Sequence, residues 1–103
     1  GAGGKALVRE DGAVMDLYFS ELVNKLRRSY EERKPPGLSD SLKVMIEVRS
    51  NANGSLTNPR VVQGSGSQDF DQAVLAAIRD VRMPARPDGK SETLTFSFSM
   101  KEE

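Results

Sequence analysis

The chain has 103 residues, the size of one ordinary domain, and 37% of them are hydrophobic. Its 15 lysines and arginines balance its 15 aspartates and glutamates. A net charge of zero argues against a protein whose main role is to bind a nucleic-acid backbone. It contains neither cysteine nor histidine, which excludes disulfides, thiolate nucleophiles, histidine-based triads and the usual zinc sites.

The glycine-rich start, residues 1–13, is interpreted as a flexible lead-in, and residues 14–103 are interpreted as the folded domain. A short strand over residues 5–9 is an alternative for part of this segment. The start at Gly1 is typical of a linker end, so we expect a fragment whose targeting segments lie outside it. No apolar run approaches the ~20 residues that a membrane span needs.

The first helix is predicted from apolar residues that recur at spacings of three and four. Its charged opposite face is interpreted as a solvated surface rather than a binding surface. The helix must end before Pro35, because proline excludes helical geometry at the preceding residue. The apolar stripe comprises Phe19, Leu22, Val23, Leu26 and Tyr30, and Met15 and Tyr18 extend it.

Two strands joined by a hairpin follow the first helix. Residues 42–50 alternate apolar with polar side chains, which is typical of a strand with one buried face. Asn53-Gly54 is a favoured pair for a hairpin turn, and residues 56–63 form the second strand. Pro59 cannot donate to a strand ladder, so the second strand is predicted to lie at a sheet edge.

The second helix is predicted over residues 69–81, with Ser67 or Asp69 as its cap. The Gly-Ser-Gly-Ser run at residues 64–67 invites comparison with a phosphate-binding loop. It lacks the Gly-Lys-Ser/Thr signature, and Asp69 and Asp71 would repel a phosphate. A turn followed by a helix cap is therefore favoured.

The third strand is predicted over residues 92–100, where apolar and polar side chains alternate again. The fold class is thus α+β, in the order α-β-β-α-β. A right-handed crossover and the edge position of Pro59 favour a three-stranded antiparallel sheet in the order 2-1-3. Both helices are expected to pack on one face of this sheet.

The third strand is an edge in this order, and it lacks the charges, prolines and glycines that normally block further pairing. An unguarded edge can bind an extended peptide through main-chain hydrogen bonds. Pairing with the N-terminal segment, pairing with a second copy as a homodimer, and cover by a loop are the alternatives. The candidate peptide-binding residues are Thr93, Leu94, Thr95, Phe96, Ser97, Phe98, Ser99 and Met100.

Three ordered segments resemble the C-terminal domain of the TonB/TolA family. They are RVVQGSG at residues 60–66, DFDQAVLAAI at residues 69–78, and MPARPDG at residues 83–89 before a final Phe-x-Phe strand. The Tyr-Pro opening that is common on the TonB side is absent. The full first helix with Tyr18 and Tyr30 is more similar to TolA, and the subfamily stays open.

This resemblance implies a non-enzymatic periplasmic domain, without catalytic residues, cofactor or metal, at the end of a protein anchored in the inner membrane by an N-terminal helix outside this chain. Such proteins couple an inner-membrane motor complex to the outer membrane, and the missing N-terminal region would contact the motor. TonB-like members pull on a peptide of an outer-membrane receptor, and TolA-like members bind Tol–Pal partners. In both, a partner peptide can add a strand to the free sheet edge.

Two other classes of function compete with this interpretation. A small α+β nucleic-acid-binding module would normally present a basic face and stacking aromatic rings. The net charge is zero, and Phe96 and Phe98 are expected in the core, so no nucleic acid partner is expected. A small hydrolase or transferase is supported only by scattered carboxylates.

Overall fold

A computed structural model describes residues 2–101, with side chains described from residue 12 onward. Its elements are α1 (Ala2–Arg33), β1 (Lys43–Ser50), β2 (Leu56–Gln63), α2 (Gln68–Asp80) and β3 (Glu92–Ser99). The predicted order is confirmed, and the predicted bounds of the three strands and of α2 agree with the structure to within one residue.

The N-terminal segment differs from the expectation. Helix α1 already begins at Ala2, so the flexible lead-in over residues 1–13 is corrected to helix from residue 2, and the alternative strand over residues 5–9 is wrong. Each glycine lowers helix propensity by only about 1 kcal/mol, and the residues between Gly4 and Gly12 include good helix formers. A domain boundary after residue 13 stays a prediction.

The three strands form one antiparallel sheet in the order β2-β1-β3, as predicted. The β1–β3 register runs without interruption from Lys43 opposite Ser99 to Ser50 opposite Glu92. The β1–β2 register is instead shifted at two points, between Met45 and Ile46 and between Glu47 and Arg49 on β1. The strand paired to one side of β1 is therefore regular, and the strand paired to the other side is irregular.

The core lies between one face of the sheet and the two helices, which confirms the predicted layering. Tyr30 of α1 is fully buried, and its ring packs 6.1 Å from Phe70 and 5.6 Å from Phe98, measured between centroids. One aromatic side chain thus joins both helices to β3. The buried apolar side chains include Leu22, Leu26, Val44, Ile46, Val48, Phe70, Val74, Ala77, Ile78 and Phe98.

The loop before α2 is a turn and a helix cap. The Ser67 hydroxyl accepts a hydrogen bond from the Phe70 amide at 3.3 Å, which satisfies a free donor of the first turn. The Asp71 carboxylate accepts from the Ser65 hydroxyl at 2.7 Å. These contacts identify Ser67 as the cap, and the two acidic residues in the first turn complement the helix dipole.

The hairpin loop between β1 and β2 packs tightly against the segment that follows α2. Gly54 has a φ of +94°, and a Cβ placed there would overlap the carbonyl oxygens of Met83 and Pro84. The Arg86 amide also donates to the Ala52 carbonyl at 2.8 Å. This contact holds the residues that lead into β3 against the end of β1.

We predict that Gly54→Ala destabilises the domain strongly. Gly66 is the matched control, because its φ of +93° is nearly the same, but no described atom beyond its own chain neighbours lies within 4 Å of where its Cβ would stand. Both substitutions incur backbone strain, but only the first adds a backbone clash. Gly54→Ala should therefore lower the free energy of unfolding by at least about 2 kcal/mol more than Gly66→Ala in urea denaturation. Equal losses would contradict the packing described.

Candidate functional site at the free sheet edge

The two edges of the sheet differ in how well they are closed to further strands. On β2, Pro59 has no amide donor, Asn58 has a φ of +53°, and the register shifts place bulges along the strand. On β3, residues 92–99 form a regular strand that pairs, among the described residues, with β1 alone. The N-terminal segment is helical and does not occupy this edge as a strand.

The pairing register determines which backbone groups of β3 face outward. The Met100 amide donates to the Leu42 carbonyl at 3.0 Å, so residue 100 belongs to the set that bonds to β1. In an antiparallel pair this set alternates with residues whose amide and carbonyl point away from the partner. Because the register is uninterrupted, Thr93, Thr95 and Ser97 direct their backbone groups to the free edge.

The C-terminal end of this edge is already closed by a side chain. Ser99 belongs to the outward set, and its carbonyl accepts a hydrogen bond from the Tyr30 hydroxyl at 2.6 Å. Tyr30 is fully buried and Ser99 is half-buried, so this bond is partly shielded from water. The open part of the edge thus runs from Thr93 to Ser97, with its far end fixed to α1.

The structure divides the eight sequence-predicted site residues into two sets. The first set comprises Leu94, Phe96, Phe98 and Met100, which direct their backbone groups to β1 and their side chains to the helices. Phe98 and Met100 are buried, and Leu94 and Phe96 are half-buried. The second set directs its backbone groups outward: Thr93, Thr95 and Ser97 have exposed side chains, while Ser99 is half-buried and bound by Tyr30. Main-chain recognition therefore rests on alternate residues.

The N-terminal end of β3 is held by a buried arginine that the sequence analysis did not single out. The Arg86 side chain is 1% exposed and its guanidinium contacts both Asp88, at 2.8 Å, and Glu92, at 2.5 Å. It also donates to the Ser50 hydroxyl at 2.9 Å and lies 5.4 Å from the centre of the Phe19 ring. One side chain thereby connects the start of β3 to the end of β1 and to α1.

This arginine cluster is fully paired and shows clear electrostatic coupling. Hydrogen bonding to Asp88 raises the pKa of Arg86 above its ordinary value, although burial opposes the shift. The reciprocal hydrogen bond from Arg86 lowers the pKa of Asp88 from 3.8 to about 2, with a further contribution from the Lys90 amide. A buried charge that is paired and hydrogen-bonded on all sides is a positioning element for β3 rather than a free binding site.

A groove lies between α1 and β3 beside the open part of the edge. Val23, which the helical stripe placed in the core, is 38% exposed and lines this groove. The groove contains a cavity of about 80 Å³. Its lining residues are Val23, Leu26, Arg27, Phe96, Ser97 and Phe98.

Two further findings concern residues 2–101. The described acidic side chains form no group of three that could hold a metal ion. Neither helix, over its described residues, has the length and apolar composition that crossing a bilayer requires.

The sequence matches a family of known proteins over most of its length. A family model described as TonB C terminal matches residues 15–99. The Tol-Pal system protein TolA of Pseudomonas aeruginosa is 31% identical over 81 residues, which make up 78% of this chain and 23% of that relative. The chain therefore spans less than a quarter of the length of this curated relative.

Two solved structures share the fold. The solution structure of TolAIII bound to a peptide derived from the N-terminus of TolB has a TM-score of 0.54 at 21% identity, covering 72% of this chain and 69% of that chain. The C-terminal domain of Helicobacter pylori TonB has a TM-score of 0.55 at 19% identity, covering 86% of this chain and 94% of that chain. At these identities the likeness concerns the α+β architecture.

We predict that the arginine cluster gives the domain an acid-sensitive component of stability. Because the folded pKa of Asp88 is about 2 and lies below its ordinary 3.8, this component is present above pH 4 and is lost as the pH falls towards 2. Thermal unfolding from pH 7 to pH 2 should therefore show a smaller acid-induced decrease in Tm for Asp88→Asn than for the parent chain.

The control for this measurement is Ser50→Ala, which keeps both carboxylates. It removes the hydroxyl that accepts from Arg86, so its Tm should be lower by a similar amount at every pH. If Asp88→Asn and the parent chain lost Tm in parallel between pH 4 and pH 2, the ion pair would not contribute in the way described.

Proposed function

Because the chain belongs to the TonB C-terminal domain family, we propose that it captures an extended partner peptide as a fourth strand on the free edge of β3. Membership of this family confirms the resemblance to TonB/TolA domains that the sequence motifs carry. The observation that carries the proposal is the row of outward backbone groups at Thr93, Thr95 and Ser97. These groups supply three donors and three acceptors at the regular spacing of a strand.

Strand addition suits this edge for reasons of hydrogen bonding and rigidity. Backbone amides and carbonyls must be satisfied, so a strand that replaces water here gains several aligned hydrogen bonds. Both ends of β3 are already held, by Arg86 at its start and by Tyr30 at its end. A preorganised edge loses less conformational entropy on binding than a mobile one. Several backbone bonds along one strand would also share a pulling load.

The proposed partner is a peptide of a Tol–Pal protein or of an outer-membrane receptor. The related TolAIII domain has been solved with a peptide derived from the N-terminus of TolB, which supports a peptide ligand of the Tol–Pal type. We place the domain in the periplasm, at the end of a protein anchored in the inner membrane. The anchor and the contact with the motor complex would belong to parts of the protein outside this chain.

The proposed role is binding without catalysis. Side chains on the open face beside the edge are threonine and serine, without a nearby histidine to activate them. The β3 phenylalanines pack towards the core, so they are poorly placed to stack on bases, and the net charge is zero. A second copy of the chain could pair with the same edge, and such a homodimer would compete with the peptide.

We predict that Thr95→Pro weakens capture strongly while Thr95→Val preserves it. The Thr95 amide faces the free edge, so proline removes a donor for the peptide without removing a bond to β1. Titration of the labelled domain with a peptide derived from the N-terminus of TolB, or with an outer-membrane receptor peptide, should shift the amides of Thr93, Thr95 and Ser97 in the parent chain. Thr95→Pro should lower the affinity at least about tenfold, and Thr95→Val should change it less than twofold.

The folded state of both variants is checked by their amide spectra before titration. Equal affinities for the two variants would overturn the proposal. Shifts confined to α1 or β2, with β3 unaffected, would also overturn it. Dependence of the β3 shifts on protein concentration without peptide would instead identify the second copy as the occupant.

A further inference from the structure

The groove between α1 and β3 lies where the side chains of an added strand would point. Residues directly opposite each other in neighbouring strands project their side chains to the same face of the sheet. Phe96 projects towards the helices, so the peptide residue beside it projects into the groove. The peptide residues beside Thr95 and Ser97 project to the exposed face of the sheet instead.

The lining of the groove is mainly apolar. Val23, Leu26, Phe96 and Phe98 contribute hydrocarbon surface, and Arg27 and Ser97 complete the lining. Val23 is 38% exposed although it lies in the apolar stripe of α1, so covering it would remove hydrophobic surface from water. A lysine or arginine side chain of the peptide would be disfavoured here, because the apolar walls offer no partner for its charge.

The cavity size restricts the side chain further. Its volume of about 80 Å³ is roughly half the ~150 Å³ of a protein cavity that admits benzene. A branched aliphatic side chain matches this space, whereas an indole ring exceeds it and would leave part of its surface in solvent. Alanine would leave most of the cavity empty, with the loss of contacts that an unfilled space entails.

We propose that the edge selects peptides that place one branched aliphatic residue, valine, isoleucine or leucine, beside Phe96 and into this groove. The inference rests on the proposed strand addition and adds the side-chain specificity that main-chain pairing alone lacks. The two flanking peptide residues face solvent above Thr95 and Ser97, so they are free to be polar. The recognised pattern is a single aliphatic residue between two tolerant positions.

A positional scan of the peptide tests this pattern. The probe is a peptide derived from the N-terminus of TolB, in which each residue is replaced in turn by alanine and by lysine. One aliphatic position should lose about tenfold in affinity on replacement by alanine and more on replacement by lysine. Both of its neighbours should tolerate lysine within about threefold. Affinities come from titrations that also record the amide shifts of Thr93, Thr95 and Ser97.

The matched protein variants are Val23→Glu and Val14→Glu. Both replace an exposed valine of α1, with exposures of 38% and 44%, but only Val23 lines the groove. Val23→Glu should weaken binding of the parent peptide about tenfold, and Val14→Glu should leave it within twofold. Combining Val23→Glu with alanine at the sensitive peptide position should cost little more than either change alone.

The outcomes distinguish a failure of the groove specificity from a failure of strand addition itself. If the edge amides shift but every peptide position tolerates alanine and the two valine variants bind equally, the groove specificity is wrong and strand addition stands. If an aromatic residue at the sensitive position binds more tightly than leucine, the size argument is wrong. If the edge amides do not shift and Thr95→Pro binds normally, strand addition and the groove specificity both fail.

Discussion

Backbone hydrogen bonding at the two sheet edges is the constraint on which the rest of the structure depends. Every strand presents donors and acceptors on both sides, and an edge leaves one side to water or to another chain. On β2 the chain closes its edge with Pro59, the left-handed Asn58 and two register shifts. On β3 the ladder stays regular and uncharged from Thr93 to Met100. Under the proposed function, this asymmetry would direct an incoming strand to β3.

The contacts at the ends of β3 give this open edge a defined length. At its start, the buried Arg86 binds Glu92 and Ser50 and so fixes β3 to β1. At its end, the Tyr30 hydroxyl donates a hydrogen bond to the Ser99 carbonyl, which would otherwise be the next free acceptor along the edge. Between these two contacts the chain offers a short template that is held at both ends. A rigid template favours tight pairing, because few degrees of freedom remain to be lost on binding.

Local patterns were sufficient to predict most of the fold. The alternation of apolar and polar side chains predicted the bounds of β1 and β3 to within one residue. Pro59 correctly predicted that β2 lies at a sheet edge. Glycine content misled the interpretation of residues 1–13, because helical continuation from α1 outweighed low local propensity. Arg86 was missed because its burial depends on Glu92 and Ser50, which become neighbours only through pairing of β1 with β3. The outward set on β3 likewise depends on register, which composition does not reveal.

Amide hydrogen exchange of the isolated domain tests the central claim most directly, because it reports the pairing of each backbone donor. The account predicts an alternation along β3, with slow exchange at Leu94, Phe96 and Phe98 and fast exchange at Thr93, Thr95 and Ser97. A bound peptide strand should slow the fast set and leave the slow set unchanged. Uniform protection along β3 in the free monomer, or an alternation of the opposite phase, would contradict the existence of an open edge at these residues.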